Sequence, residues 1–145
     1  MYPATSNVLT FLSYTYFLES MYLQYRISEA MPEFTYKNKL YYNPVEFAMD
    51  RIGGTWKMPI LWRLKDKVMR YSELKRSISH ITDKMLTTQL RDLESEGFIH
   101  RKVYPVVPPK VEYSMTEKGR TCIPIIQTIR EYGFYLMEEA GIEHG

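Results

Sequence analysis

The stretch that decides the fold reads TDKMLTTQLRDLESEGF and covers residues 82–98. Thr82 can cap a helix there, because a threonine hydroxyl accepts a hydrogen bond from the free backbone N–H groups of a first turn. Gly97 can end the same helix, since glycine readily adopts the left-handed conformation that follows a last turn. At 100° per residue the apolar side chains share one sector of about 140°: Met85, Leu86, Leu90 and Leu93. The stretch predicts an amphipathic helix with one buried face.

The opposite face of this predicted helix carries two cations and three hydroxyl groups, from Lys84, Thr87, Thr88, Arg91 and Ser95. A helix face that meets only water usually mixes Glu and Lys at a spacing of four residues, and this face does not. Two interpretations stay open on this feature alone. The helix is either simply exposed to water, or it presents hydrogen-bond donors to a polyanionic partner.

Strand-forming residues follow Gly97 in two runs, 98–104 and 111–114, which are rich in β-branched and aromatic side chains. The segment between them, PVVPPK at residues 105–110, contains three prolines and is too stiff for a central strand. The sequence therefore predicts a hairpin with a proline-braced tip. Its rim is basic and carries His100, Arg101, Lys102 and Lys110.

Three further helices are predicted upstream of residue 82. The first begins at Pro44 and stops at Gly53-Gly54, the second follows a cap at Thr55, and the third covers residues 73–78 after a cap at Ser72. A leading helix, three core helices and a basic hairpin make up a winged helix-turn-helix, an α+β fold that is mainly helical. In that geometry the last core helix enters the major groove of DNA, and the hairpin, or wing, reaches phosphates.

Positive charge is concentrated in the segment that holds these elements. Residues 44–120 contain 15 of the 19 Lys and Arg but only 10 of the 17 Asp and Glu, a net charge of +5 against +2 for the whole chain. Such a segment favours a polyanionic partner, here double-stranded DNA. The predicted contacts to base edges come from Thr87, Thr88 and Arg91. The predicted contacts to phosphates come from Lys75, Arg76 and Lys84 on the helices and from Arg101, Lys102 and Lys110 on the wing.

The order of motifs resembles that of the HxlR-type winged-helix transcription regulators, relatives of the MarR group. The similar segments are NPVEFAMDRIGGTWK (43–57), RYSEL (70–74), ITDKML (81–86), LRDLE (90–94), GFI (97–99) and VPPKVEYSMTEKG (107–119). The resemblance covers about residues 43–137, and it implies a dimeric DNA-binding regulator of the bacterial type. One position departs from the pattern. Members often begin the domain with Cys-Pro-Val, and here Asn43 precedes Pro44.

The C-terminal segment predicts a homodimer independently of that resemblance. Thr116 can cap a long helix that bends at Pro124, and its apolar stripe repeats at spacings of four, three and four residues. A small core does not easily cover so much apolar surface, so a partner subunit is the simpler interpretation. Packing across the back of the monomer is the alternative. The predicted interface consists of Ile125, Ile129, Tyr132 and Leu136, widened by Ile126 and Met137.

Enzyme signatures are missing from the sequence. It contains no Gly-x-Ser-x-Gly elbow, Walker loop or Gly-x-Gly-x-x-Gly turn. His80, His100 and His144 lack metal-ligand spacing, and both tryptophans fit core packing better than a cofactor site. We therefore expect no catalytic activity, no cofactor and no metal, and we leave an unidentified small-molecule effector open as a partner.

A cytoplasmic location without membrane attachment is expected. A single cysteine, Cys122, fits a reducing compartment, and we expect it to be buried and inert. The longest uncharged stretch, residues 1–18, is interrupted by Pro, Asn, Ser, Thr and Tyr, which argues against a membrane span. It also lacks the basic start and the cleavage site of a secretory signal.

Residues 1–42 form an N-terminal extension ahead of a domain at 43–145. The spacing of Phe11, Tyr14, Leu18, Met21 and Tyr25 predicts a packed helix, which could serve as a dimer arm. Alternatively, translation starts at Met21 or Met31 and the upstream part is leader. The leading functional hypothesis is a homodimeric transcription regulator that recognises a pseudo-palindromic operator. The competing hypothesis is a winged-helix module that binds protein rather than a specific DNA site.

Overall fold

A computed structural model describes Tyr16 and residues 33–143 of the chain. The described residues fall into two compact units, divided between Phe47 and Ala48. The elements run, in chain order, as β1 (Phe34–Tyr36), β2 (Lys39–Tyr41), α1 (Pro44–Ile52), α2 (Gly54–Leu64), β3 (Met69–Arg70), α3 (Tyr71–Ser77), α4 (Asp83–Ser95), β4 (Ile99–Tyr104), β5 (Lys110–Met115), α5 (Glu117–Thr121) and α6 (Ile123–Glu139). Apart from Tyr16, which is helical, the predicted helix at residues 11–25 and the alternative starts lie outside the described residues.

The first unit contains a β-hairpin that the sequence reading did not predict. Strands β1 and β2 pair antiparallel, and the turn between them has positive φ at Lys37 (47°) and Asn38 (61°). Positive φ at both central residues is characteristic of the tight turn that best matches strand twist. The rings of Phe34, Tyr41 and Phe47 pack against each other, with centroids 4.9–5.4 Å apart. This aromatic cluster holds the hairpin onto the start of α1.

Asn43 caps α1. Its Oδ1 accepts a hydrogen bond from the backbone N–H of Glu46 over 2.8 Å, and the Glu46 carboxylate accepts one from the backbone N–H of Tyr42 over 2.9 Å. Asparagine is among the best residues for this position, because its side chain satisfies a backbone donor that the helix leaves free. The residue that departs from the Cys-Pro-Val pattern therefore has a structural function in this chain.

Helices α2, α3 and α4 enclose the core of the second unit, and a three-stranded sheet closes it. The side chains of Leu61, Leu64, Leu74, Leu86 and Leu93 are fully buried there. Burying a leucine side chain contributes about 1.5–3 kcal/mol, so these helices are held mainly by packing rather than by their intrinsic propensity. The predicted core helices followed by a hairpin are confirmed.

The sheet has the order β3-β5-β4, with both pairs antiparallel. Strand β4 pairs with β5 so that Arg101 lies opposite Tyr113 and Lys102 opposite Glu112. The predicted wing hairpin is thus confirmed, with its turn over residues 105–109. The two-residue strand β3, which pairs Met69 with Tyr113, was not predicted.

Two predicted helix caps are wrong. Helix α2 begins at Gly54 after a cap at Gly53, not after Thr55. A Cβ atom at Gly53 would lie 2.3 Å from the backbone oxygen of Met49, so the chain passes too closely there for any other residue. Helix α3 begins at Tyr71 rather than after Ser72.

The start of α3 is fixed by a side chain three residues further on. The Glu73 carboxylate accepts a hydrogen bond from the backbone N–H of Arg70 over 2.6 Å. This is the carboxylate half of a capping box, in which an acidic residue at the third helical position reaches back to the capping residue. The predicted start at residue 73 is therefore two residues too late, which is why Ser72 is not the cap.

The predicted ends of α4 are confirmed. Thr82 Oγ1 accepts a hydrogen bond from the backbone N–H of Met85 over 3.1 Å, and Gly97 follows the helix with φ +77°. One predicted core residue is wrong: Met85 is 37% exposed, whereas Leu86 and Leu90 are buried. Met85 comes at the edge of the apolar sector, where Gln89 Nε2 lies 3.4 Å from its sulfur atom.

The predicted long C-terminal helix is divided in two. Thr116 caps α5, accepting from the backbone N–H of Gly119 over 2.9 Å, and a break at Cys122 separates α5 from α6. Pro124 therefore lies in the first turn of α6 and does not bend a continuous helix. Proline suits a first turn, where its missing N–H costs nothing. Over the described residues, no helix has both the length and the apolarity needed to cross a membrane.

Candidate nucleic-acid interface

Helix α4 has one buried face and one exposed face, as its sequence predicted. Leu86, Leu90 and Leu93 are buried in the core. On the other side Lys84, Thr88 and Arg91 are exposed, and Thr87 is half-buried. The Thr88 hydroxyl donates to the Lys84 carbonyl over 2.9 Å, which leaves its lone pairs free to accept. The exposed face thus offers two long cationic donors and a threonine acceptor on a rigid helix.

Tyr71 joins α3 to this exposed face, and sequence reasoning did not single it out. Its hydroxyl donates to Asp83, 3.0 Å from Oδ1 and 3.1 Å from the backbone oxygen, and it lies 3.4 Å from Thr87 Oγ1. Burial raises the pKa of Tyr71, and the nearby Asp83 carboxylate raises it further, so the phenol stays neutral. The only signal in the sequence was an aromatic residue with a hydroxyl directly before the predicted third helix.

A polar notch lies between α4 and the sheet. Its volume is about 250 Å³, and it brings Arg91 of α4 together with Arg101 of β4. Sequence reasoning had placed these two arginines on separate elements without predicting that they meet. The other lining residues are Tyr71, Thr87, Leu90, Glu94 and Tyr113.

The basic rim predicted for the wing is divided between two faces of the sheet. Residues directly opposite each other in antiparallel strands point to the same side, and successive residues alternate. Arg101 therefore shares a face with the buried Tyr113, whereas Lys102 shares the other face with Glu112. Lys110, two residues before Glu112, belongs to that second face. The wing offers cations on both sides, and Arg101 lines the notch beside α4.

Two of the predicted phosphate-binding residues on the helices also hold the structure together. The Lys75 ammonium donates to the backbone oxygen of Ile81 over 2.7 Å, which braces the turn between α3 and α4. Arg76 is exposed, and its Nε donates to the backbone oxygen of Ser72 over 3.3 Å. Lys75 has two further N–H groups, but it is half-buried, so Arg76 is the more accessible cation of α3.

Helix α6 presents an apolar stripe to solvent in the single protomer. Ile125, Ile129, Tyr132 and Leu136 are exposed, with 43% of Ile129 and 60% of Tyr132 accessible. The Tyr132 ring stacks on that of Tyr135, which is also exposed, with 5.9 Å between centroids. An apolar row of this regularity on a helix surface is characteristic of an interaction site.

One residue of the predicted dimer interface belongs elsewhere. Ile126 is only 5% exposed and packs in the core of its own protomer. One helical step of 100° separates it from Ile125, which is enough to turn its side chain inward. Met137 is half-buried.

The single cysteine lies in the break between α5 and α6. Cys122 is 3% exposed, and burial raises the pKa of its thiol although Lys118 is near enough to lower it somewhat. A protonated, inaccessible thiol is a poor nucleophile. Among the described residues, no group of three or more His, Cys, Asp or Glu side chains could hold a metal ion.

Residues 51–140 match the family model of the HxlR-like helix-turn-helix. The chain belongs to this family. The match takes in the core helices, the wing and α6, so the predicted family and the winged helix-turn-helix fold are both confirmed.

Three comparisons illustrate the relationship. An HTH-type transcriptional regulator of Methanothermobacter thermautotrophicus is 54% identical over 89 residues, which are 61% of this chain and 68% of that protein. The redox regulator HypR in its oxidized form is 49% identical, with a TM-score of 0.61 over 64% of this chain and 96% of HypR. A MarR-family regulator from Porphyromonas gingivalis is 37% identical, with a TM-score of 0.61 over 71% of this chain and 97% of that one. The family consists of transcriptional regulators rather than enzymes, which confirms the expectation that this chain is not an enzyme.

Proposed function

We propose that this protein is a homodimeric transcription regulator that binds a pseudo-palindromic site in double-stranded DNA. The observation that carries the proposal is the amphipathic character of α4. Its leucines are buried on one face, and Lys84, Thr88 and Arg91 are exposed on the other. A helix that is fixed on one side and bears long donors on the other is what reading the major groove requires. The family of HTH regulators supports the same function.

The exposed residues divide into two roles. Thr87, Thr88 and Arg91 contact base edges, and Arg91 has the reach for a bidentate contact to guanine. Lys84 and Arg76 contact phosphates, with Lys75 beside them, and Arg101, Lys102 and Lys110 do so from the wing. Phosphate contacts position the protein without reading sequence. Removing a phosphate contact should therefore weaken binding to all duplexes, whereas removing a base contact should reduce the preference for the cognate site.

A second copy of the chain covers the apolar stripe of α6. The support is the exposure of Ile125, Ile129, Tyr132 and Leu136 on one helix, with Met137 at the edge of the stripe. A two-fold axis through this stripe presents two copies of α4 to one duplex, about one helical turn or 34 Å apart. Residues 43–145 then form the DNA-binding and dimerisation domain, and residues 1–42 an N-terminal extension.

The signal that controls this regulator is not oxidation of a thiol. HypR is named a redox regulator, but here the position before the Pro-Val pair is Asn43, which caps α1, and Cys122 is buried. We place the regulator in the cytoplasm, where its DNA target lies. A small molecule of unidentified structure is the proposed effector.

The experiment that tests the proposal is a titration of genomic and random duplexes at several salt concentrations. A DNA-binding regulator loses affinity steeply as the salt concentration rises, because its Lys and Arg side chains displace counterions from the phosphates when it binds. Selecting bound fragments from the source genome then identifies the operator. A winged-helix module that binds protein would show neither a steep salt dependence nor a preferred fragment, and that result would contradict the proposal.

A further inference from the structure

One acidic residue lies in the middle of the basic outer face of the wing. Glu112 belongs to β5, the central strand of the sheet, and its direct partners are Arg70 on β3 and Lys102 on β4. Direct cross-strand partners point to the same side of a sheet. Lys110, two residues earlier on β5, points there as well. Glu112 is therefore surrounded by three cations on the face that carries most of the wing's positive charge.

The contacts show which of these cations Glu112 holds. The Lys110 ammonium lies 2.7 Å from Oε1 of Glu112, and the Tyr104 hydroxyl donates to Oε2 over 2.8 Å. Lys110 and Lys102 also lie over the Tyr104 ring, 4.5 and 4.8 Å from its centroid. Both carboxylate oxygens are thus engaged. Lys110 has an ion pair within the wing. Lys102 is exposed and lies over the Tyr104 ring, with no salt-bridge partner among the residues that the structure describes.

The ion pair has a direct consequence for phosphate binding. A phosphate that binds Lys110 must compete with a carboxylate already in contact. Within the described part of the chain, no carboxylate is in contact with Lys102 in the same way. Hydrogen bonds from Lys110 and Tyr104, together with the charge of Arg70, lower the pKa of Glu112. The carboxylate is therefore ionised at neutral pH, where it competes with a phosphate for the Lys110 ammonium.

We propose that Glu112 limits the sequence-independent affinity of the wing for DNA by holding Lys110 in an internal ion pair. The inference rests on the proposed function, in which the wing contacts phosphates. Non-specific affinity determines how strongly random sites compete with an operator for the protein. A residue that weakens non-specific binding therefore favours release from random DNA. Glu112 is in this sense a specificity-determining residue that contacts no base.

The test is Glu112→Gln with a random-sequence duplex. Glutamine keeps the size of the side chain and an acceptor for Tyr104 but carries no charge, which releases Lys110. Each additional phosphate contact steepens the slope of log K against log salt by about 0.9. On the same relation, the gain in affinity on releasing Lys110 grows by up to about eightfold per wing when the salt concentration falls from 1 M to 0.1 M.

Two control variants make this test specific. Glu143→Gln changes the net charge equally but lies beyond the end of α6, and it should leave the slope as in the wild type. The double variant Glu112→Gln/Lys110→Ala should lose the gain, since it lacks the released cation. If the folded Glu112→Gln protein has an unchanged or shallower slope, the inference is overturned while the proposed function stands. If the wild type shows no salt-dependent binding to any duplex, the proposed function itself fails.

A second measurement does not depend on how Glu112→Gln folds. Lys102→Ala and Lys110→Ala each remove one cation from the same face of the wing. The ion pair predicts that Lys110→Ala changes the slope clearly less than Lys102→Ala does. Equal changes would show that Glu112 does not restrain Lys110, and would overturn the inference.

Discussion

The hydroxyl of Tyr71 donates to Asp83 Oδ1 over 3.0 Å and so joins the first residue of α3 to the first residue of α4. The same oxygen lies 3.4 Å from Thr87 Oγ1, one turn further along α4. One side chain therefore links the first turns of α3 and α4 and lies beside Thr87, a residue that we expect to contact a base. This relationship makes Tyr71 a positioning residue for the exposed face of α4.

Tyr71→Phe should lower the free energy of unfolding by about 1 kcal/mol, because it removes the hydrogen bond to Asp83 and keeps the ring. Urea denaturation measures this difference directly. Tyr42→Phe is the matched control, since Tyr42 is exposed and its loss of a hydroxyl should stay within about 0.5 kcal/mol. Equal effects of the two substitutions would contradict the role given to the Tyr71 hydroxyl.

Arg91→Ala should cost about 1–3 kcal/mol of binding free energy on the cognate site and should relax the preference at one base position. The reason is the loss of a donor that reaches a base edge from the exposed face of α4. Titration of cognate and random duplexes at one salt concentration measures the preference. If Arg91→Ala weakened binding to both duplexes by the same factor, Arg91 would be a phosphate contact from the notch that it shares with Arg101.

Lys102→Ala should weaken binding to cognate and random duplexes alike and flatten the salt slope by about 0.9 per wing. Lys102 is exposed and has no carboxylate partner among the contacts described, so its charge is available to a phosphate. Lys110→Ala should act in the same direction with a smaller change, because Glu112 already holds its ammonium. A change in sequence preference on removing Lys102 would argue against a purely positioning contact.

Mild diamide or peroxide treatment should leave DNA affinity unchanged. Cys122 is 3% exposed, and burial raises the pKa of its thiol, so little reactive thiolate is present at neutral pH. Affinity before and after treatment is the measurement, with Cys122→Ser as the control. A loss of tenfold or more, about 1.4 kcal/mol, that disappeared in Cys122→Ser would make Cys122 the sensor.

Local signals in the sequence were enough to predict most of the second unit. The cap at Thr82, the stop at Gly97 and the buried leucines between them follow from hydrogen bonding and helical periodicity, and they locate α4 correctly. The prolines within residues 105–109 likewise predicted the loop between the two wing strands correctly. These features depend on residues close together in the chain, which is why a single sequence reveals them.

Features that depend on contacts between distant residues were missed. The partnership of Tyr71 with Asp83 joins two helices, and strand β3 forms through the pairing of Met69 with Tyr113 and of Arg70 with Glu112. The wing's cations lie on two faces of the sheet because the strand register sets Lys102 opposite Glu112, and this register could not be predicted from the sequence alone. The inward turn of Ile126 likewise depends on where the core of the protomer lies.

The sequence does contain a local signal for the hairpin of the first unit. Residues 34–41 read FTYKNKLY, with apolar or aromatic side chains on both sides of Lys37-Asn38. Asparagine tolerates positive φ, and both central residues adopt it.

The central claim is that two copies of α4 read one duplex through a dimer formed on α6. Footprinting on fragments selected from the source genome tests it most directly. The account predicts two protected half-sites of related, inverted sequence, with centres about one helical turn or 34 Å apart. Protection of a single isolated half-site by a monomer, or no protection of any selected fragment, would contradict it.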